Sequence, residues 1–281
     1  MTTSARSYLY VPGNRPDRFD KALGSGADAI VLDLEDAVAP ADKQQAAADV
    51  ERWLSGVESR ACPIWIRVNA GDRQAEEVAM AVRAGADGLF VPKCDDVQAL
   101  VLLDYDLVRL ENEYRRTPLA VSPLLETARG ILDAPAIATA PRVAFLQIGE
   151  VDLAADLDLE PGPTGEELLW ARSRVVFASV AAKIPSPLGA ASPNIRDTDA
   201  FADETRRLRR LGFFGRACIH PSQIATVHAL NTPSQRDVAA ATAIVQALES
   251  APSGVATDAR GNLIDEAVVR SARRVLERAS N

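Results

Sequence analysis

Charged and polar side chains recur directly after short apolar runs along this chain. Asp33-Leu34-Glu35-Asp36 follows one run, Arg67-Val68-Asn69 another, then Lys93, Glu126 and the Gly149-Glu150-Val151-Asp152 segment. Burying so many charges is costly unless they pair or bind a ligand. Glu126 and Asp152 follow consecutive apolar runs, so their carboxylates converge if those runs are neighbouring strands. Two carboxylates plus water is a common way to hold Mg²⁺, with positions left for substrate oxygens. The same carboxylates could instead pair with Arg67 or Arg129 without any metal, because charge clusters mark sites only as a tendency.

Other positions offer weaker chemistry. Pro12-Gly13-Asn14-Arg15-Pro16 presents backbone N–H groups and a cation at a helix start, which suits a phosphate. It also reads as a simple proline-initiated helix. Lys93 follows Val-Pro and is either a Schiff-base amine or a cation neutralising the carboxylates. The second use is the expected one. His220, before Pro221, is expected to shape a turn, and His228 to lie on the surface. Asp265 precedes a helical stretch and reads by itself as an N-cap.

The elements that must carry these residues alternate regularly. Apolar runs are expected as strands at Ser7–Val11, Ala29–Leu34, Pro63–Val68, Gly88–Pro92, Leu119–Leu125, Val143–Ile148, Ile184–Leu188 and Phe214–Ile219. Each is followed by a stretch of helical period. Eight strand–helix units at 281 residues match a (β/α)8 barrel, for which roughly 250 residues is typical. Near-continuous apolar runs fit parallel strands with helices on their outer face. An open doubly wound sheet is the rival, and the lack of a dinucleotide fingerprint counts against it. Ser25-Gly-Ala-Asp28 and Ala84-Gly-Ala-Asp87 repeat a turn in which glycine ends a helix just before a strand. In such a barrel the catalytic residues stand at the carboxyl ends of the strands, where the residues above fall.

The barrel is expected over residues 1–230. Residues 231–281 form a tail: a helix at Ser234–Ser250, a loop or hairpin around Arg260-Gly261-Asn262, and a helix at Glu266–Ala279. This tail caps its own barrel or lies on a neighbouring subunit, and the neighbour is the expectation.

The formal net charge of −8 and the absence of a basic stripe argue against nucleic acid as a partner. No apolar run approaches a membrane span, and the start of the chain does not resemble a targeting signal. Cys62, Cys94 and Cys218 lack metal-binding spacing and are expected as reduced thiols, which places the protein in the cytoplasm.

Arg6-Ser-Tyr-Leu-Tyr-Val-Pro-Gly-Asn-Arg-Pro-Asp-Arg-Phe19 resembles the opening of the citrate lyase β-subunit-like proteins within the HpcH/HpaI aldolase group. So do Ser25–Val38, Ile66-Arg-Val-Asn69, Leu125-Glu-Thr-Ala-Arg-Gly130, Asp152-Leu-Ala-Ala-Asp156 and Cys218-Ile-His-Pro-Ser-Gln-Ile224, in the expected order. The resemblance spans essentially the whole chain. It implies a barrel that binds Mg²⁺ and a coenzyme A thioester and reversibly cleaves a carbon–carbon bond. Malyl-CoA and citramalyl-CoA are substrates of this kind, and a citryl thioester on an acyl-carrier protein is the alternative. The partners implied are an acyl-CoA, a 2-oxo acid and further copies of the chain, as a homotrimer or homohexamer.

The resemblance also assigns residues. Glu126 and Asp152 match the Mg²⁺ ligands, and Arg67 the substrate-binding and catalytic arginine. The backbone of Gly149, Glu150 and Val151 matches the segment that holds the oxo-acid carboxylate. Leu263-Ile264-Asp265 is similar to a motif whose aspartate is the acid/base, donated to a neighbour's barrel. Arg15 is the residue expected at a CoA phosphate, while Glu35, Asp36 and Lys93 are expected to support the site. The chain departs from the family at Val151, where a glutamate is usual. A non-catalytic, CoA- or partner-binding member of the family is therefore a further alternative.

Overall fold

The computed structural model describes residues 5–251, 256–257 and 261–279. They fall into two compact units, Ala5–Val227 and a unit that begins at His228.

The first unit is a parallel barrel. Its strands are β1 (Ser7–Pro12), β2 (Ala29–Asp33), β3 (Ile64–Arg67), β4 (Gly88–Val91), β5 (Ala120–Leu125), β6 (Gln147–Ile148) and β7 (Arg216–Cys218). They pair in the order β6-β5-β4-β3-β2-β1-β7. The expected strand at Ile184–Leu188 is reduced to two bridges, Leu188 to Gln147 and Gly189 to Arg216. Pro185 and Pro187 explain the loss, since neither has an N–H to give to a ladder. The two bridges suffice to close the ring. Leu188 N–H donates to Leu146 at 2.8 Å and Ala217 N–H to Gly189 at 3.0 Å.

The outer helices of this unit are α1 (Phe19–Leu23), α2 (Lys43–Ser55), α3 (Gln74–Ala84), α4 (Val97–Tyr114), α5 (Ala128–Ile137), α6 (Glu150–Asp156), α7 (Leu169–Ala181), α8 (Thr198–Leu211) and the first turns of α9 (Ser222–Asn231). Alternate strand residues point to opposite faces. The outward set (Leu9, Ile30, Leu32, Ile64, Ile66 and Leu89 among it) packs under the helices. The inward set is an aromatic plug of Tyr8, Trp65, Phe90 and Phe145, with neighbouring rings 5.2–6.0 Å apart.

The repeated Gly-Ala-Asp turn has a structural use. Gly85 ends α3 at φ +82°, and Gly26 takes φ +81° in the turn after α1, whose own cap is Gly24; such a conformation costs glycine little. The aspartates that follow pin the adjacent strand. Asp28 accepts from the Arg6 N–H just before β1, at 2.8 Å, and Asp87 accepts from the Ile64 N–H that opens β3, at 2.7 Å.

The second unit contains the end of α9, α10 (Gln235–Glu249), a hairpin of β8 (Ala256–Thr257) and β9 (Leu263–Ile264), and α11 (Glu266–Ala279). Ser234 and Asp237 form a capping box on α10. Helix α11 packs on α10 and buries Val269 and Ala272 on one face. Arg260 of the expected turn lies outside the described residues. Among the described residues no helix is long and apolar enough to cross a membrane.

Candidate active site at the barrel mouth

The carboxyl ends of β2, β3, β4, β5 and β6 gather the charged residues singled out above. Arg67 closes β3 and Asp33 closes β2 at the same register. They make a two-point contact: Arg67 Nε donates to Asp33 Oδ1 and Nη2 to Oδ2, each at 2.6 Å. Such forked pairs fix orientation as well as charge. Nη1 points the other way, 3.1 Å from Glu35 Oε2 and 3.3 Å from Asp36 Oδ2. The guanidinium lies over the Tyr10 ring at 5.3 Å. Burial opposes its charge, but the hydrogen bonds and charge of Asp33 outweigh that and hold its pKa above the ordinary arginine value.

The loop that carries Glu35 is fixed from behind. Lys43 Nζ donates to the carbonyls of Leu34 (3.0 Å) and Glu35 (2.9 Å) and to Asn69 Oδ1 (2.5 Å). Asn69 in turn donates to Leu34 O and to Glu77 Oε1, at 2.8 and 2.7 Å. Glu35 is buried, and burial, partly offset by Arg67, pushes its carboxyl up to about 7. Its Oε2 has the Arg67 cation nearby but no hydrogen bond.

Glu126 sits between the end of β5 and Thr127, which caps α5 by accepting from the Gly130 N–H. It is 2% exposed. Its Oε1 accepts from the Lys93 N–H at 2.7 Å, and no cation pairs with either oxygen among the described residues. Lys93 delivers that N–H from a left-handed conformation, φ 49°. Burial drives the Glu126 carboxyl up to about 8, and the charges of Glu35 and Asp152 push the same way.

Gly149 places the next element against it. A Cβ at this position would lie 2.7 Å from both Cβ and Oε2 of Glu126. The Glu126 carboxylate therefore rests against the backbone that opens α6, in whose first turn Asp152 lies. Asp152 is half-buried and makes no hydrogen bond or ion pair among the described residues. Both ways of doing without a metal are spoken for: Arg67 is held by Asp33, and Arg129 pairs with Asp133 at 2.7 Å. Two uncompensated carboxylates, one deeply buried, form a donor set that fits a hard divalent cation. Groups of three or more ligating side chains are absent among the described residues, and Mg²⁺ commonly uses only one or two carboxylates with water.

The remaining expected residues divide. Lys93 Nζ lies 3.5 Å from Glu35 Oε1, and the charge of Glu35 raises its pKa. A lysine kept protonated is a poor Schiff-base nucleophile, and its charge here lies against Glu35. The Glu150 side chain is engaged by Arg172 at 2.7 and 2.5 Å, which leaves only its backbone for a ligand. Val151 is 63% exposed. Arg15 is exposed and forked onto Asp17 at 2.8 and 2.7 Å. His220 bonds Ser222 across the turn at 2.8 Å. Asp265, in the second unit, caps α11 by accepting from the Val268 N–H at 3.0 Å.

Sequence reasoning named Asp33 at a strand end without giving it a role, and did not name Tyr10 or Gln147 as site residues. Asp33 holds Arg67, Tyr10 lies beneath it, and Gln147 accepts from the Tyr10 hydroxyl at 2.8 Å. Asp33 had a signal, as an acid ending a wholly apolar run. Tyr10 and Gln147 had none, because pointing inward at the mouth is a property of the closed ring.

Comparison with known proteins places the chain in a family. The family HpcH/HpaI aldolase/citrate lyase matches residues 6–221, and a second, carbon–carbon bond lyase of the TIM-barrel fold, matches residues 174–281. Citrate lyase subunit beta of Escherichia coli (strain K12) is 32% identical over 99% of this chain and 94% of its own. The L-malyl-CoA/beta-methylmalyl-CoA lyase of Cereibacter sphaeroides is 30% identical over 98% and 94%. Among solved structures, the protein CitE of Mycobacterium tuberculosis in complex with magnesium, acetoacetate and coenzyme A aligns with a TM-score of 0.81. It has 27% identity and covers 100% of both chains. The chain belongs to the HpcH/HpaI aldolase/citrate lyase family.

Proposed function

We propose that this carbon–carbon lyase uses Mg²⁺ to cleave, or form, a 3-hydroxyacyl-CoA such as malyl-CoA or citramalyl-CoA, with an acyl-CoA and a 2-oxo acid as the other side of the reaction. The observation that carries the reading is the Glu126–Asp152 pair, uncompensated and partly buried beside Arg67. The malyl-CoA lyase relative and the CitE complex with magnesium and coenzyme A support the thioester and the metal. The free cysteines agree with a cytoplasmic setting.

Glu126 and Asp152 would hold the ion. Bound there, it would supply Lewis acidity and a chelating point for the oxo-acid half of the substrate. The N–H groups of Glu150 and Val151, in the first turn of α6 with Asp152, would receive the oxo-acid carboxylate. Cleavage breaks the bond between the α and β carbons: the hydroxyl gives its proton to solvent water, the oxo acid departs, and the acyl thioester retains the electron pair as an enolate. Arg67, with one edge clamped by Asp33, offers Nη1 to the thioester oxygen where negative charge gathers. Preorganised donors of this kind are worth about 3 kcal/mol. Glu35 and Asp36 keep Nη1 aimed into the mouth until substrate arrives. Asp265 from another copy protonates the enolate carbon, or removes that proton in the forming direction, and Arg15 meets a CoA phosphate.

The test is direct. Purified protein with Mg²⁺ and malyl-CoA or citramalyl-CoA should release free oxo acid and acyl-CoA, and chelation should stop it. Failure with every 3-hydroxyacyl-CoA offered, metal present, would remove the reading. The beta-subunit relatives support a second one, a citryl thioester on an acyl-carrier protein. Turnover that appears only with carrier-bound substrate would select it.

A further inference from the structure

Behind the turn that carries Asp152 lies a cavity of about 350 Å³, bounded by α6, the 161–165 loop, α7, the 191–193 segment and α8. Its size falls in the roughly 300–1,000 Å³ range of small-molecule sites. Neither Glu126, Asp152 nor Arg67 lines it. Three of its four charged residues are already engaged. Arg172 and Glu150 form a forked pair, and Glu204 is bound by the buried Arg216.

Arg207 is the exception. Its Nε–H is buried and has no partner, its Nη2 reaches only the Pro163 carbonyl at 3.3 Å, and no carboxylate pairs with it among the described residues. A buried donor without an acceptor costs stability. Nε–H and the adjacent Nη–H form the edge that donates to two oxygens of a carboxylate or phosphate, and Arg67 uses that edge on Asp33 at the barrel mouth. The rest of the wall is largely apolar, from Val151, Ala154, Pro161, Pro163, Leu168 and Pro193.

We infer that this cavity is a second ligand site, taking a small organic acid whose carboxylate is held by Arg207 and whose apolar body fills the space against α6. It borders Glu150 and Val151, whose backbone is proposed above to meet the oxo acid, but not Glu126, Asp152 or Arg67, and its test reads binding rather than turnover.

Hexanoate is a suitable probe, titrated calorimetrically into the full-length protein with Mg²⁺ and excess pyruvate present to occupy the mouth. One equivalent per chain is expected to bind, and to bind more tightly than inorganic phosphate, which has no apolar body. Arg207→Met should weaken hexanoate at least about tenfold, the loss of a charge-assisted bond. Ala191→Leu, which fills the cavity and removes no charge, should weaken it as well. Thermal midpoints of both variants would show that they fold. Displacement of hexanoate by pyruvate, equal affinity in a folded Arg207→Met, phosphate binding more tightly than hexanoate, or no saturation by about 10 mM would each overturn the inference.

Discussion

At the scale of single residues, Glu126 and Arg67 face opposite electrostatic problems. Arg67 is compensated by Asp33, and among the described residues Glu126 has one backbone hydrogen bond and no cation. An unfolded glutamate ionises near ~4.3, whereas burial keeps Glu126 protonated up to about 8. Without metal, the folded chain therefore holds an extra proton between those limits, and its stability falls as pH rises through that window. Glu35 contributes with the same sign up to about 7. Above about 8 both are ionised in either state and the slope disappears. Thermal scans of metal-free protein from about pH 5 to 8 should show the decline, and Glu126→Gln should lessen it. Mg²⁺ affinity should increase with pH over the same range, because the ligand must lose its proton. A metal-free midpoint that rises toward pH 8 would contradict this account of Glu126. For the clamp, Asp33→Ala strands a buried guanidinium. It should cost about 3–5 kcal/mol in denaturant unfolding, together with loss of turnover.

At the scale of elements, the proposed metal pair depends on how closely α6 approaches the end of β5. Gly149→Ala would drive a methyl into the Glu126 carboxylate. Mg²⁺ affinity, measured by titration calorimetry, is expected to fall about 10–100-fold, as when supporting contacts of a metal site are lost. Helix α11 poses a different question, because Asp265 caps it. Asparagine caps as well as aspartate, whereas alanine costs about 1 kcal/mol. Asp265→Asn should leave the unfolding midpoint unchanged while turnover collapses. Full activity in that variant would reduce Asp265 to a cap.

At the scale of the whole molecule, the proposed acid/base Asp265 and the proposed metal ligands Glu126 and Asp152 belong to separate compact units. If Asp265 serves a neighbouring copy, Glu126→Gln and Asp265→Asn proteins should each be inactive alone. After mixing and subunit exchange, part of the activity should return, measured as oxo-acid release. Sizing by light scattering should give a trimer or hexamer, and a monomer with full activity would rule out donation between copies.

How much the sequence revealed varies with the range of the interaction. The strand–helix alternation, the positions of Glu126, Asp152, Arg67 and Glu35 at strand ends, and the Gly-Ala-Asp turns were all legible. They rest on periodicity, burial preference and local backbone chemistry, which a linear chain displays. The strand at Ile184–Leu188 was over-read, since its apolar pattern hid the missing N–H groups of Pro185 and Pro187. Helix α6 escaped notice because Glu150–Asp156 is too short to show a period. Which carboxylate holds Arg67, which one lacks a cation, and how near Gly149 lies to Glu126 are decided by the register of strands far apart in sequence. The amino-acid order determined that carboxylates and an arginine would meet at one end of a barrel. Only the closed tertiary structure set Asp33 on Arg67 and left Glu126 and Asp152 without a paired cation among the described residues, because that division depends on distances across the ring.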